Sequence, residues 1–245
     1  MSKSILLIVE GPNDEEVLVK KLWNRFDKNA DYTVVTYETN IYVLMNQLFR
    51  DGIVDEDVDL LRFLKSEDVP ESKRIKKDKR FTDIYLVFDF DPQDPNADFD
   101  KLKTMLRFFN DSSSKGKLYI NYPMMQSYRH IKCQEDLEFR DRAVPMDIGR
   151  KYKQLVDKEA WNSLKQINRL DRGMFKWIIE MHLSKLNYQL NGVYDMPSYD
   201  EYKAMTGDRI LDLQLGSIEK NNSVFTLNTS IFLIVDYHPS WFFRM

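Results

Sequence analysis

The sequence predicts an α/β fold: a parallel sheet with helices on both faces, followed by a mainly helical C-terminal region. Two continuous apolar, β-branched runs, residues 5–9 and 84–88, have the composition of strands buried on both faces. Between and after them, apolar residues recur at three- and four-residue steps (Val17, Leu18, Leu22 and Phe26; Phe99, Leu102, Met105, Leu106 and Phe109), which is helical spacing. Strand and helix alternate to about residue 125, the pattern of a parallel sheet with crossover helices.

In order, the first strand ends in Glu10-Gly11-Pro12-Asn13-Asp14, which is turn chemistry, and Asn13 or Asp14 can cap the helix that follows. Glu15 and Glu16 suit the positive end of that helix. Residues 32–37, rich in Thr, Val and Tyr, predict a second strand, and Thr39 or Asn40 caps a helix over 41–49. A shorter helix is expected over 58–64. Residues 65–80 then read as a polar, basic loop. The third strand ends in Asp89-Phe90-Asp91, residues 112–116 form a turn, and 118–120 a fourth short strand. Helices are expected over 146–155, 161–170, 174–190 and 199–218, with a strand and a short helix within 224–236. The expected units are a core over 1–143 and a helical region over 144–245, which can also pack as one domain.

The 245 residues carry a net charge of −3, so no global cationic field coats nucleic acid, although a local basic patch can. A single Cys133 and three scattered histidines (His130, His182, His238) argue against a disulfide framework or a cysteine- or HExxH-type zinc site. No stretch of about 18 apolar residues is present, and the expectation is a soluble, cytoplasmic protein that does not engage a membrane.

In an open parallel sheet, ligands bind outside the carboxyl ends of the strands. Glu10, Asp89 and Asp91 fall there. Carboxylates gathered at one edge repel one another unless a cation lies between them, and hard oxygen ligands suit Mg²⁺ or Mn²⁺. The competing assignment is a set of solvated acids at strand ends.

The run from Ile5 to Glu15, taken with Tyr85-Leu86-Val87-Phe88-Asp89-Phe90-Asp91, resembles the Toprim (topoisomerase–primase) fold, a Rossmann-like sheet, over about residues 4–125. That family carries a Glu after its first strand and an Asp-x-Asp after a later one. The resemblance implies that Glu10, Asp89 and Asp91 are catalytic and bind one or two divalent metals, with Glu10 in an acid–base role. Nucleases of the OLD (overcoming lysogenisation defect) type add further acids, which places Asp14 and Glu138 as metal ligands, with Asp136 behind Glu138 and Asp94 extending the Asp-x-Asp.

The chain departs from larger members in having no Walker A motif, primase zinc module or recognisable topoisomerase gate. It is similar in this to small Toprim effectors of bacterial anti-phage systems that work beside a separate ATPase. The implied activity is a metal-dependent nuclease acting on DNA or RNA, tRNA included, with the oligomeric state left open. Lys73, Arg74, Lys76 and Lys77 are the candidate phosphate contacts. The competing assignment is a solvated loop balanced by Glu67, Asp68, Glu71 and Asp78. A Toprim-like docking subunit without turnover is the main alternative. A haloacid-dehalogenase-type phosphotransferase is disfavoured, because that fold places its Asp-x-Asp on the first strand. A sugar-nucleotide transferase has no supporting feature. His130 is a candidate proton carrier whose ordinary role would be structural. The aromatic C-terminus is expected to bury against the sheet rather than dock a partner.

Overall fold

The structure is a computed structural model that describes residues 4–49, 58–67 and 69–244. Its centre is a five-stranded sheet in the order β2-β1-β3-β5-β4. The strands are β1 (Ser4–Val9), β2 (Asp31–Thr36), β3 (Asp83–Asp89), β4 (Asn110–Asp111) and β5 (Gly116–Asn121). The first four in spatial order are parallel, and β4 turns back antiparallel onto β5. This antiparallel edge is not among the expected elements; it immediately precedes the turn expected over 112–116, which joins β4 to β5. Ile5 to Val9 and Tyr85 to Phe88 are fully buried, as strands covered on both faces must be.

The helices are α1 (Glu15–Phe26), α2 (Ile41–Leu48), α3 (Leu60–Lys65), α4 (Phe99–Phe108), α5 (Lys151–Glu159), α6 (Arg172–Asn191), α7 (Tyr199–Ala204), α8 (Gly207–Asn221) and α9 (Leu233–Tyr237). α1 packs with α6 and α9, while α2 packs with α4 and α4 with α8. Helices from beyond residue 143 thus join both groups, and one apolar core runs through residues of both expected units. A second sheet pairs β6 (Ala143–Pro145) with β7 (Ser223–Phe225), antiparallel.

Three expected elements are corrected. Residues 161–170 form two 3₁₀ turns, Asn162–Leu164 and Ile167–Arg169, instead of an α-helix. The apolar positions there (Trp161, Leu164, Ile167, Leu170) recur every three residues, the period of a 3₁₀ turn. The helix expected over 146–155 begins only at Lys151. The helix expected over 199–218 divides into α7 and α8. Gly207 opens α8 against α4, where a Cβ would stand 2.9 Å from the Leu106 side chain. At α7, Ser198 and Glu201 form a reciprocal capping box.

His182 ties α6 to the segments that follow β5 and β7. Its Nδ1 accepts from the Asn228 backbone N–H at 3.2 Å, so Nε2 carries the proton and donates to the Tyr128 carbonyl at 3.3 Å. Burial, with Lys185 nearby, holds the ring down to about 3. Burial likewise holds His130 down to about 4. Unfolded histidine titrates near 6.5, so the unfolded chain binds more protons between these values. Stability from both rings is therefore fully present above about pH 6.5 and lost as pH falls through the window below it. Because Glu10, Glu15 and Asp89 titrate in the opposite sense, the histidine contribution is read as a difference: the melting temperature of His182→Gln relative to wild type should rise as pH falls from 7.5 to 4.5.

Candidate active site

Register aligns the strand ends. Val9 pairs with Thr36 on one side and Val87 on the other, and Asp89 pairs with Asn121. Glu10 continues this alignment, donating its N–H to the Val87 carbonyl and accepting at its own carbonyl from Glu38 N–H at 2.8 Å. Its side chain turns back over the end of β3, where Oε2 accepts the Asp89 N–H at 2.9 Å.

Asp89 is held from the other side by Asn121, whose Nδ2 donates to Oδ1 at 3.3 Å. Asn121 is fully buried, and its Oδ1 accepts the Ser230 N–H at 3.2 Å, so the tail of the chain positions the amide that positions Asp89. Asp91, two residues on and exposed, adds its charge to the field at Glu10, as alternation along an extended chain requires.

Glu15 completes the cluster and was not among the sequence candidates. It is the first residue of α1, buried to 8% exposure, with its carboxylate against that of Asp89. An acid in a first helical turn reads as a complement to the helix dipole, and only the curl of the turn before α1 reveals that this one points inward. Gly11 permits the curl: a Cβ there would lie 2.7 Å from Glu15 Oε2. Gly11→Ala should displace the Glu15 carboxylate and weaken divalent-metal affinity by about tenfold, the scale of a disturbed supporting contact. Titration calorimetry would measure it.

The electrostatics follow from the crowding. Burial pushes the Glu10 carboxyl up to about 7; the Asp89 N–H opposes this, and Glu15 and Asp91 add to it. Burial also raises Asp89 well above the usual range, with Glu15 and Glu10 contributing. Burial raises Glu15, aided by Asp14. No lysine or arginine forms an ion pair with Glu10, Glu15 or Asp89 among the described residues, which the structure instead leaves as mutually repelling acids.

The donor set consists of hard oxygens and fits Mg²⁺ or Mn²⁺. Among the described residues, however, no three acids, histidines or cysteines stand close enough to form a ready-made cage. Binding would have to draw Glu10, Glu15, Asp89 and Asp91 together.

The other sequence candidates lie differently. Asp14 begins no cap bond; its Oδ2 accepts from Gln126 Nε2 at 2.8 Å and pairs with Lys153 at 2.7 Å. Asp94 accepts from Asn40 Nδ2, fastening the loop after β3 to the start of α2. Glu138 is exposed on a 3₁₀ turn and pairs with Lys132 and Arg142, each at 3.8 Å. Asp136 is buried against Arg142. His130 is 1% exposed between the Tyr152 hydroxyl and Glu159, a structural setting.

The basic loop folds along the open edge of β2. Lys73, Arg74, Lys76 and Lys79 line a groove of about 490 Å³ with Thr33 to Thr36 and Glu38. Lys73 lies over the Tyr37 ring and 4.0 Å from Glu38, at the strand end adjoining Glu10. Arg74 is spent on the carbonyls of Glu67 and Val69, and Lys79 on Thr33. Lys77 is exposed, and Asp68 lies outside the described residues.

The fold and its acidic pole define an α/β protein with a Rossmann-like sheet whose carboxyl edge gathers carboxylates. No family model, curated protein or solved structure matches the chain. No helix among the described residues is long and apolar enough to cross a membrane.

Proposed function

We propose that the chain is a divalent-metal-dependent nuclease of Toprim type. The observation that carries this is the buried group of Glu10, Glu15 and Asp89 at the carboxyl end of the parallel sheet, none of them in an ion pair among the described residues, with Lys153 held on Asp14 beside Glu15. Placing like charges there costs stability, and such a cost is a mark of functional sites. The Glu10 and Asp89-x-Asp91 resemblance supports the same assignment.

Glu10, Glu15, Asp89 and Asp91 would hold Mg²⁺ or Mn²⁺, which would polarise a phosphodiester and supply a water nucleophile. The chain's own residues do the rest. Glu10, raised to about 7, can take or return a proton near neutral pH. Asn121 fixes the rotamer of Asp89. Lys73 and Lys76 offer phosphate contacts in the groove that leads to Glu10. The substrate is DNA or RNA, tRNA included. The setting carried over from the resemblance is a cytoplasmic anti-phage effector activated by a separate ATPase.

Incubating the purified chain with plasmid, single-stranded DNA and bulk tRNA, with Mg²⁺ or Mn²⁺, tests this. Metal-dependent cleavage that vanishes in Asp89→Asn is expected, and the pairing with an ATPase partner should raise it. A metal-dead chain that still binds its partner would instead favour a docking subunit, the reading to which the lack of a ready-made cage lends weight.

If the groove holds phosphate, Lys73→Ala and Lys76→Ala should each weaken nucleic-acid binding evenly across sequences. Each should also reduce the salt slope of log K by about 1. Fluorescence anisotropy between low and moderate salt would check it.

A further inference from the structure

A cavity of about 300 Å³, whose lining includes none of Glu10, Glu15, Asp89 and Asp91, lies between β5 with the end of α4 on one side and α7, the start of α8 and the tail on the other. Its walls are largely aromatic and aliphatic, with Phe109, Tyr122, Tyr199 and Phe232 among them. Its polar end is a compact constellation around Asp236. Tyr202 donates to Asp236 Oδ1 at 2.9 Å, Tyr119 donates to Oδ2, and Lys117 Nζ lies 2.6 Å from Oδ2.

Burial raises the hydroxyls of Tyr119 and Tyr202 well above their ordinary range, so both remain protonated donors. The Lys117 and Asp236 side chains are 30% and 16% exposed, so a ligand in the cavity can reach both. Lys203 stands at the same cavity, 56% exposed, held loosely by an Asp200 that is itself almost wholly exposed.

We propose that this cavity binds a nucleobase, as a free mononucleotide. Flat aromatic walls select a flat ring. A carboxylate beside an ammonium, about a hydrogen-bond length apart, matches a ring edge on which N–H groups adjoin a carbonyl: Asp236 accepts from the N–H and Lys117 donates to the oxygen. That edge is the lactam of guanine or uracil. The volume is at the small end for ligand sites and suits a single nucleoside, not a dinucleotide. Lys203 then meets the phosphate. No feature of this site uses Glu10, Glu15 or Asp89, so it does not depend on the nuclease assignment.

Isothermal titration of the full chain with GMP, UMP, AMP and CMP tests the proposal, with indole-3-acetate as an apolar, anionic control. Saturable one-site binding of GMP or UMP is expected, weakened about 10- to 100-fold by Asp236→Asn, the scale for losing a charged hydrogen bond. Lys117→Ala, at a partly exposed position, should weaken it similarly, and Glu10→Gln should leave it unchanged. Thermal melts of each variant establish that it is folded. Absence of saturable binding below about 1 mM for all four nucleotides overturns the proposal. So does binding that indole-3-acetate matches, or that folded Asp236→Asn and Lys117→Ala retain.

Discussion

Glu10→Gln is expected to abolish cleavage and at the same time to raise the melting temperature of the metal-free protein at pH 8 by about 6–12 °C. The Glu10 carboxyl is pushed from 4.5 to about 7 by burial and by Glu15 and Asp91. A group raised on folding contributes stability that is fully present below its unfolded value and lost as pH climbs through its folded one. The contribution of this group in the metal-free chain should therefore be lost between about pH 4.5 and 7, on the order of 3 kcal/mol, against the opposite trend that His130 and His182 impose. Gln keeps an acceptor for the Asp89 N–H and removes the charge, so the variant escapes the loss. Above pH 7 the difference from wild type should be at its full size, and below pH 4.5 it should vanish. A carboxylate kept for stability would behave in the opposite way, with Gln destabilising the fold. Differential scanning calorimetry across pH 4–9 in chelator separates the two.

The second large effect is structural. Asp136→Ala should destabilise the fold by about 3–5 kcal/mol, the cost of orphaning one member of a buried ion pair. That is a drop of about 6–20 °C in melting temperature. Asp136 receives Arg142 through both guanidinium nitrogens, at 2.7 and 3.0 Å, and also the Lys132 N–H at 2.6 Å. Arg142 donates further to the His130 carbonyl, and its own carbonyl accepts from the buried Lys185 ammonium at 2.7 Å. Removing Asp136 leaves the Arg142 charge buried next to Lys185 with only the exposed Glu138, at 3.8 Å, to balance it. Denaturant unfolding would measure the loss. Because Asp136 is a structural anchor, cleavage per folded molecule should stay near wild type, which also tests its exclusion from the metal-ligand set.

The two central strands, their turn and the positions of Glu10, Asp89 and Asp91 were legible because an uninterrupted run such as Ile5 to Val9 has few alternatives to a strand buried on both faces. Glu15 was not legible. Its inward turn depends on Gly11 and on the packing of α1, and neither leaves a mark beyond a Glu-Gly pair. Asp14 drew attention by spacing alone, and Lys153, 139 residues away, claims it. The 3₁₀ turns of 162–169 were misjudged because three-residue and mixed three- and four-residue spacings differ by a single position per turn. The pairing of β6 with β7 joins segments 78 residues apart through three-residue strands, too short for any periodicity to register. The Asp236 constellation draws on β5, α7 and α9, so only the assembled fold displays it.

The most direct measurement is a Mn²⁺ titration of the wild type and Asp89→Asn at pH 8, followed by electron paramagnetic resonance and by melting temperature. Saturable binding that raises the wild-type melting temperature, with both effects lost in Asp89→Asn, is the expected result, since a bound cation relieves the repulsion among Glu10, Glu15 and Asp89. Equal Mn²⁺ affinity in the two proteins, or no saturable binding in either, would contradict the assignment of these acids as a metal-holding site.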